Sequence, residues 1–178
     1  MPGSVHGPGI VENGTCFRIP DRSYPLNDEV AAIRLFLNET VQRMIDVASE
    51  LSDDELHWSP PTPDGNSVAV LLAHTTGSIE ETIVQVMSGE AVNRDRDAEF
   101  VERDTSAVVL AEQWAALAVR LEPVFAAIDA DQLNAVHQHP RRGDVTGRNV
   151  VIGALAHARE HLGQAELIRD LIHAGRSR

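Results

Sequence analysis

The sequence contains no lysine, only one cysteine and few aromatic residues. All 15 basic side chains are arginines, against 27 acidic ones, so the formal net charge is −12. This acidic balance disfavours non-specific binding to nucleic acid or to an anionic membrane surface, because both depend on clustered positive charge. We therefore expect neither nucleic acid nor membrane as a partner, and a small-molecule substrate instead.

Long apolar runs are also missing. The longest, residues 68–73 and 150–156, fall far short of the roughly 20 residues that a membrane-spanning helix needs. The first residues carry proline and glycine where a signal peptide would be apolar. Cys16 has no second cysteine to pair with, so nothing indicates an oxidising compartment. The expectation is a soluble, cytoplasmic protein whose 178 residues form one compact domain.

Four segments carry apolar residues at helical spacing and predict an all-α fold, most simply a four-helix bundle over residues 27–178. Apolar residues in the first and third segments step by four and three, which places them on one stripe. Pro123 lies in the third and is expected to kink or shorten it. Residues 1–26 predict an extended arm, and no segment alternates long enough to predict a strand. The predicted helices cover about 28–51, 66–89, 106–128 and 148–173.

Three of the eight histidines indicate a metal site. His157 and His161 are four residues apart in the last predicted helix, so both rings project from one face. His74 lies on a polar stripe of the second helix, which would be costly in a dry core but suits a hydrated cavity around a metal. Three imidazoles from two helices predict a centre with an open coordination position, typical of catalysis. Alternatively, the stripe faces water and His74 is merely hydrogen-bonded. The rest of the stripe is Ser67, Ser78, Glu81 and Gln85.

The other histidines fall in predicted loops or near helix ends, and we interpret them as solvated or singly hydrogen-bonded. His137 and His139 are a partial exception, because imidazoles two residues apart can share a metal when the backbone is extended. We interpret Glu80, Glu81 and Arg159 as residues of a solvated helix face or as members of ion pairs. The remaining histidines are His6, His57 and His173.

Three short motifs resemble the DinB-like superfamily. They are LAHTTGS at residues 72–78, RDRDAEF at 94–100 and HAREHLGQ at 157–164, and the resemblance spans about residues 28–172. It implies a four-helix bundle, commonly a homodimer, that holds a divalent metal through His74, His157 and His161. The family includes thiol transferases that use mycothiol or bacillithiol, and a mycothiol-dependent maleylpyruvate isomerase.

The resulting hypothesis is a transferase that conjugates a mycothiol-like, low-molecular-weight thiol to a small electrophile. A free thiol with a pKa of about 8.5 is mostly protonated at neutral pH, and a Lewis-acidic ion favours the reactive thiolate. Zinc is the first choice of ion, with nickel or iron as alternatives. Gln164, one turn beyond His161, is expected to hold a ligand histidine or the thiol cofactor, or simply to face a neighbour. Two other hypotheses remain open: a non-catalytic, metal-binding or metal-free, dimeric stress-response or interaction module, and a metal-dependent hydrolase that uses the same three histidines.

Overall fold

The computed structural model describes residues 28–63, 65–100 and 105–176. The arm expected over residues 1–26, with Cys16 and His6, lies outside the described residues. Across the described ranges, no helix combines the length and the apolar composition needed to cross a membrane. In chain order the elements are α1 (Asp28–Ser49), α2 (Asp53–Leu56), α3 (Val68–Ile79), a π-helical segment (Glu80–Ser88), α4 (Arg96–Glu99), α5 (Ala107–Ala127), α6 (Ala130–Asn134), β1 (Val136–His139), β2 (Gly143–Thr146) and α7 (Gly147–Arg176).

The four long helices α1, α3, α5 and α7 share one apolar core. Helix α1 packs against α5 and α7, and α3 packs against the same two helices. The stripes predicted for α1 and α5 face this core, with Leu37, Met44, Trp114 and Leu121 among their buried residues. The all-α prediction is confirmed. The pairing of α3 with α7 matters most for the site, because it brings together residues more than 80 positions apart.

Serine caps begin two of the long helices where the sequence predicts them. The Ser67 side chain accepts a hydrogen bond from the Val70 backbone N–H at 3.2 Å, and Ser106 does the same for Val109 at 3.3 Å. Gly89, with φ of 75°, ends the second long segment as expected. The π-helical turns before Gly89 were not predicted, because a change from i+4 to i+5 bonding leaves no clear mark in the sequence.

Two short strands correct the expectation that the chain forms none. Strands β1 and β2 pair antiparallel, from Val136 opposite Thr146 to His139 opposite Gly143. Gly143 has φ of 68°, a left-handed conformation that glycine adopts without strain. Four residues a strand are too few for a period-two signal, and the hairpin packs on the π-helical segment and α7. Helix α5 continues through Pro123 to Ala127, so the proline does not shorten it, and α7 ends at Arg176, beyond the predicted end near residue 173.

Candidate metal centre

Helices α3 and α7 bring together the three histidines predicted to form a metal site. Nε2 of His157 lies 3.2 Å from Nε2 of His74 and 3.2 Å from Nε2 of His161. All three donor atoms lie within 4.8 Å of one another. Metal–nitrogen bonds of about 2.0–2.1 Å in a tetrahedral site separate neighbouring ligand nitrogens by about 3.3 Å. The observed separations therefore suit ligands of one ion.

The outer ring nitrogens of two histidines already have partners. Nδ1 of His161 lies 2.9 Å from Oε1 of Gln164, and Nδ1 of His74 lies 3.0 Å from Oε2 of Glu99. Because these oxygens accept, each Nδ1 carries the proton and donates it. Arg94 also approaches Nδ1 of His74, at 3.3 Å, but the carboxylate is nearer and can accept the bond. Both rings consequently direct an Nε2 lone pair toward the common point.

This arrangement leaves an unsatisfied acceptor unless a cation is present. Nε2 of His157 is within 3.2 Å of both other Nε2 atoms, yet one N–H can donate to only one of two lone pairs. His74 is buried and the other two rings are half-buried, so water has restricted access to the lone pair left over. A positive ion between the rings satisfies all three nitrogens at once. The donor set therefore fits a divalent metal.

The protonation states favour ligation as well. Burial is the main cause that lowers the pKa of His157 to about 4, and the neighbouring imidazoles add to it. Burial also lowers the pKa of His161, although its bond to Gln164 acts in the opposite direction. Both rings are thus neutral near pH 7, and neutral imidazole is the form that binds a metal.

Glu99 and Arg94 form an ion pair behind His74. The guanidinium of Arg94 contacts Glu99 through Nε at 2.6 Å and Nη2 at 2.8 Å, and Glu81 through Nη1 at 3.1 Å. Burial alone would raise the pKa of the Glu99 carboxyl, but bonds from His74 and Arg94 outweigh it and the net pKa is lowered. A carboxylate behind a histidine fixes its tautomer and makes it a stronger ligand.

This role of Glu99 was missed from the sequence. Glu99 lies in the motif at residues 94–100 that resembles the family, but no spacing rule links Glu99 to a histidine 25 positions earlier. Helix α4 sets the position of Glu99 because Asp95 caps it, accepting a hydrogen bond from the Ala98 N–H at 3.0 Å. Phe100 follows directly, and its ring lies 4.9 Å from that of His74.

Gly77 leaves room beside α3 for the side chains of Glu99 and Arg94. A Cβ atom at Gly77 would sit 2.2 Å from Oε1 of Glu99 and 3.1 Å from Nε of Arg94, well inside contact distance. Gly77 is one turn beyond His74 on the same helix, so the carboxylate that supports the histidine occupies the space a side chain would fill. A larger residue at this position would have to displace the Glu99 carboxylate from its place beside His74 and Arg94.

The polar stripe, which runs along α3 and the π-helical segment, turns inward rather than toward water. Ser67, His74 and Glu81 are all buried, and Ser78 and Gln85 are partly buried. The carboxylate of Glu81 pairs with Arg94 and with Arg141, whose Nη2 lies 2.5 Å from its Oε1. The ion-pair interpretation therefore holds for Glu81, as it does for Glu80, which pairs with Arg120. Arg159 is exposed.

In the described part of the chain, the two hairpin histidines each bond to a backbone group and belong to no cluster of three possible metal ligands. His137 shares a hydrogen bond with the Gln132 carbonyl at 3.0 Å, whereas Nδ1 of His139 accepts one from the Arg141 N–H at 3.1 Å. His57 likewise contacts the Thr105 carbonyl, at 2.8 Å. The singly hydrogen-bonded interpretation describes these three rings. His173 lies in the last turns of α7.

Comparison with known families and structures identifies proteins to which the chain is similar. A family model described as the DinB superfamily matches residues 37–165. No curated protein matches the chain. A conserved protein from Enterococcus faecalis has a similar structure, with a TM-score of 0.64 and 18% identity over 82% of this chain and 97% of that one.

Two further structures share the fold. A DinB-like protein from Bacillus cereus ATCC 10987 superposes with a TM-score of 0.65 and 16% identity, over 82% of this chain and 92% of that one. The colibactin self-resistance protein ClbS, solved in complex with double-stranded DNA, superposes with a TM-score of 0.56 and 13% sequence identity, over 83% of this chain and 98% of that one. At these identities the likeness concerns the fold.

Proposed function

The chain belongs to the DinB superfamily, and from that membership we propose that it is a metal-dependent transferase joining a low-molecular-weight thiol to a small electrophile. The observation that carries the proposal is the convergence of three Nε2 atoms, two of them held in the ligand tautomer by Glu99 and Gln164. Three neutral nitrogen ligands leave a coordination position open, as in catalytic rather than structural centres.

His74, His157 and His161 would hold the ion, with zinc our first choice and nickel or iron as alternatives. A bound ion would supply a Lewis acid that lowers the pKa of a thiol and favours the thiolate. Glu99 would keep the ring of His74 oriented, while Arg94 holds Glu99. The buried position of His74 would exclude bulk water from one side of the site.

Gln164 would act on His161 rather than on the thiol. Its Oε1 accepts the Nδ1 proton of His161 at 2.9 Å, so this atom is already engaged. We therefore propose Gln164 as a positioning residue for a ligand histidine, which narrows the cofactor-binding role expected from the sequence.

Two predictions about partners remain in the proposal. The acidic charge of −12 supports the absence of nucleic acid among them. The structure of ClbS contains double-stranded DNA, but this chain is similar to ClbS in fold only. We also retain the homodimer and the cytoplasmic location as predictions. Light scattering on the purified protein tests whether it is a dimer.

A thiol panel tests the proposed reaction. Zinc-loaded protein is incubated with mycothiol, bacillithiol, glutathione or cysteine and with 1-chloro-2,4-dinitrobenzene, and thioether formation is followed by absorbance. We expect turnover with one thiol, loss of turnover after chelation and recovery when zinc is restored. A His161→Ala variant should show only the uncatalysed rate.

The same experiment separates the alternatives. Protein that retains its metal but conjugates none of the thiols would contradict the transferase and favour a non-catalytic module. Metal-dependent release of p-nitrophenol from p-nitrophenyl acetate without any thiol would favour a hydrolase. Purified protein that holds no metal and cannot take it up would contradict both the transferase and the hydrolase and would leave a metal-free module.

A further inference from the structure

Four arginines line a cavity of about 160 Å³ beside His74 and His157. They come from two separate segments, Arg94 and Arg96 around the start of α4, and Arg141 and Arg142 from the turn between β1 and β2. In a chain with a net charge of −12, four arginines around one small cavity are a local reversal of sign. Such a cavity attracts anions from solution.

Two of these arginines are already neutralised by carboxylates. Arg94 pairs with Glu81 and Glu99, and Arg141 pairs with Glu81 through both carboxylate oxygens, at 2.5 and 2.7 Å. These contacts hold Arg94 and Arg141 in place and leave them little capacity for a ligand.

The other two arginines have no carboxylate partner among the described residues. Arg96 lies over the ring of Phe100, with its guanidinium carbon 4.8 Å from the ring centroid. Arg142 lies against α7, with Nη1 3.1 Å from the place where a Cβ of Gly153 would be. Gly153 is one turn before His157, so this uncompensated charge lies near the histidine centre.

We propose that this cavity binds the carboxylate of a small anionic substrate, with Arg142 and Arg96 as its recognition groups. The inference rests on the proposed function, since it names the substrate class for the same centre. A guanidinium presents two parallel N–H groups that match a carboxylate. The carboxylate end of the molecule would lie at the arginines and its reacting end would face His74 and His157, which line the same cavity. A cavity of about 160 Å³ suits a small ligand of this kind.

Calorimetric titration with succinate, succinamide and inorganic phosphate tests this assignment. Both zinc-loaded and metal-free protein are titrated at low ionic strength, because the metal-free arm removes direct ligation of succinate by zinc. We expect succinate to bind in both arms and to bind at least about tenfold tighter than succinamide, which has the same shape without the charge.

Arginine variants locate the binding. Arg142→Gln should weaken succinate binding about tenfold, equivalent to about 1.4 kcal/mol, and Arg96→Gln should weaken it by a similar or smaller factor. Arg159→Gln removes an arginine of α7 that does not line the cavity, and it should leave the affinity within about twofold because its charge lies outside the binding site. Thermal melting checks that the three variants fold alike.

The inference is overturned if succinate and succinamide bind equally, if neither Arg142→Gln nor Arg96→Gln weakens succinate binding, or if phosphate binds more tightly than succinate. Failure of the proposed function gives a different pattern. If the protein takes up no zinc but still binds succinate, the proposed function fails and the carboxylate site stands. If the protein binds zinc but binds succinate and succinamide equally, the carboxylate site fails and the proposed function stands.

Discussion

Two histidine pairs in the described part of the chain have spacings that suit metal binding, yet only the pair on α7 converges with a third histidine. His157 and His161 are four apart on α7, and His137 and His139 are two apart on β1. The α7 pair meets His74, with nitrogen–nitrogen separations of 3.2 Å. The β1 pair bonds instead to backbone groups, the Gln132 carbonyl and the Arg141 N–H.

The difference lies in what occupies the second ring nitrogen. On α7, and at His74, side-chain oxygens take up Nδ1 and leave Nε2 free to ligate. On β1, a backbone donor occupies the acceptor nitrogen of His139, so its lone pair is already used. Spacing brings two imidazoles near each other, but their outer partners decide whether their lone pairs face the same point.

Removal of one ligand should have the largest effect. We expect His161→Ala to lose stoichiometric zinc binding, because two imidazoles on different helices hold an ion far more weakly than three. Zinc content after dialysis, measured by mass spectrometry, gives the readout. His137→Ala is the matched control from the β1 pair and should retain zinc as the unmodified protein does; equal loss in both variants would contradict the distinction between the two groups.

Loss of the charge behind His74 should have the next largest effect. Glu99→Gln keeps an acceptor oxygen for Nδ1 but removes the negative charge and leaves Arg94 with only Glu81. We expect zinc affinity to fall by about 10- to 100-fold, the range for such outer partners. Competition with a chelating dye measures it. Asp97→Asn, an exposed change on the same short helix, is the control, and an equal fall there would remove Glu99 from the centre.

A methyl group at Gly77 should displace Glu99 without changing any charge. We expect Gly77→Ala to lower the free energy of unfolding by about 1–3 kcal/mol through overpacking, and to weaken zinc about tenfold through the displaced carboxylate. Gly163→Ala provides the contrast, because nothing lies within 4 Å of a Cβ there and the helix should gain about 0.5–1 kcal/mol. Urea denaturation and the dye assay measure both. A neutral or stabilising Gly77→Ala would show that the close approach of α4 is not required.

The smallest effect at the centre should come from Gln164→Ala. The Gln164 side chain is exposed, so water can replace its bond to Nδ1 of His161. We expect zinc affinity to fall by no more than about tenfold, the lower end of the range for outer partners. The same dye competition measures this affinity. A fall as large as that caused by Glu99→Gln would show that the burial of Glu99 does not make it the more important of the two hydrogen-bond partners.

Local features of the sequence predicted much of the fold. Apolar residues at steps of three and four placed the buried stripes of α1 and α5, and Ser67, Ser106 and Gly89 marked helix ends where they occur. The hairpin at residues 136–146 was not predicted, because four-residue strands carry too little pattern and depend on the surfaces they pack against.

The sequence by itself determined which helix faces are buried and that His157 and His161 share one of them, because both follow from the 3.6-residue period of a single helix. Only the tertiary structure decided that His74 meets them from 83 residues away, that Glu99 supports His74, and that arginines from α4 and the hairpin turn surround one cavity. A local pattern sets the direction of a side chain. The packing of distant elements selects its partner, and that depends on the whole core.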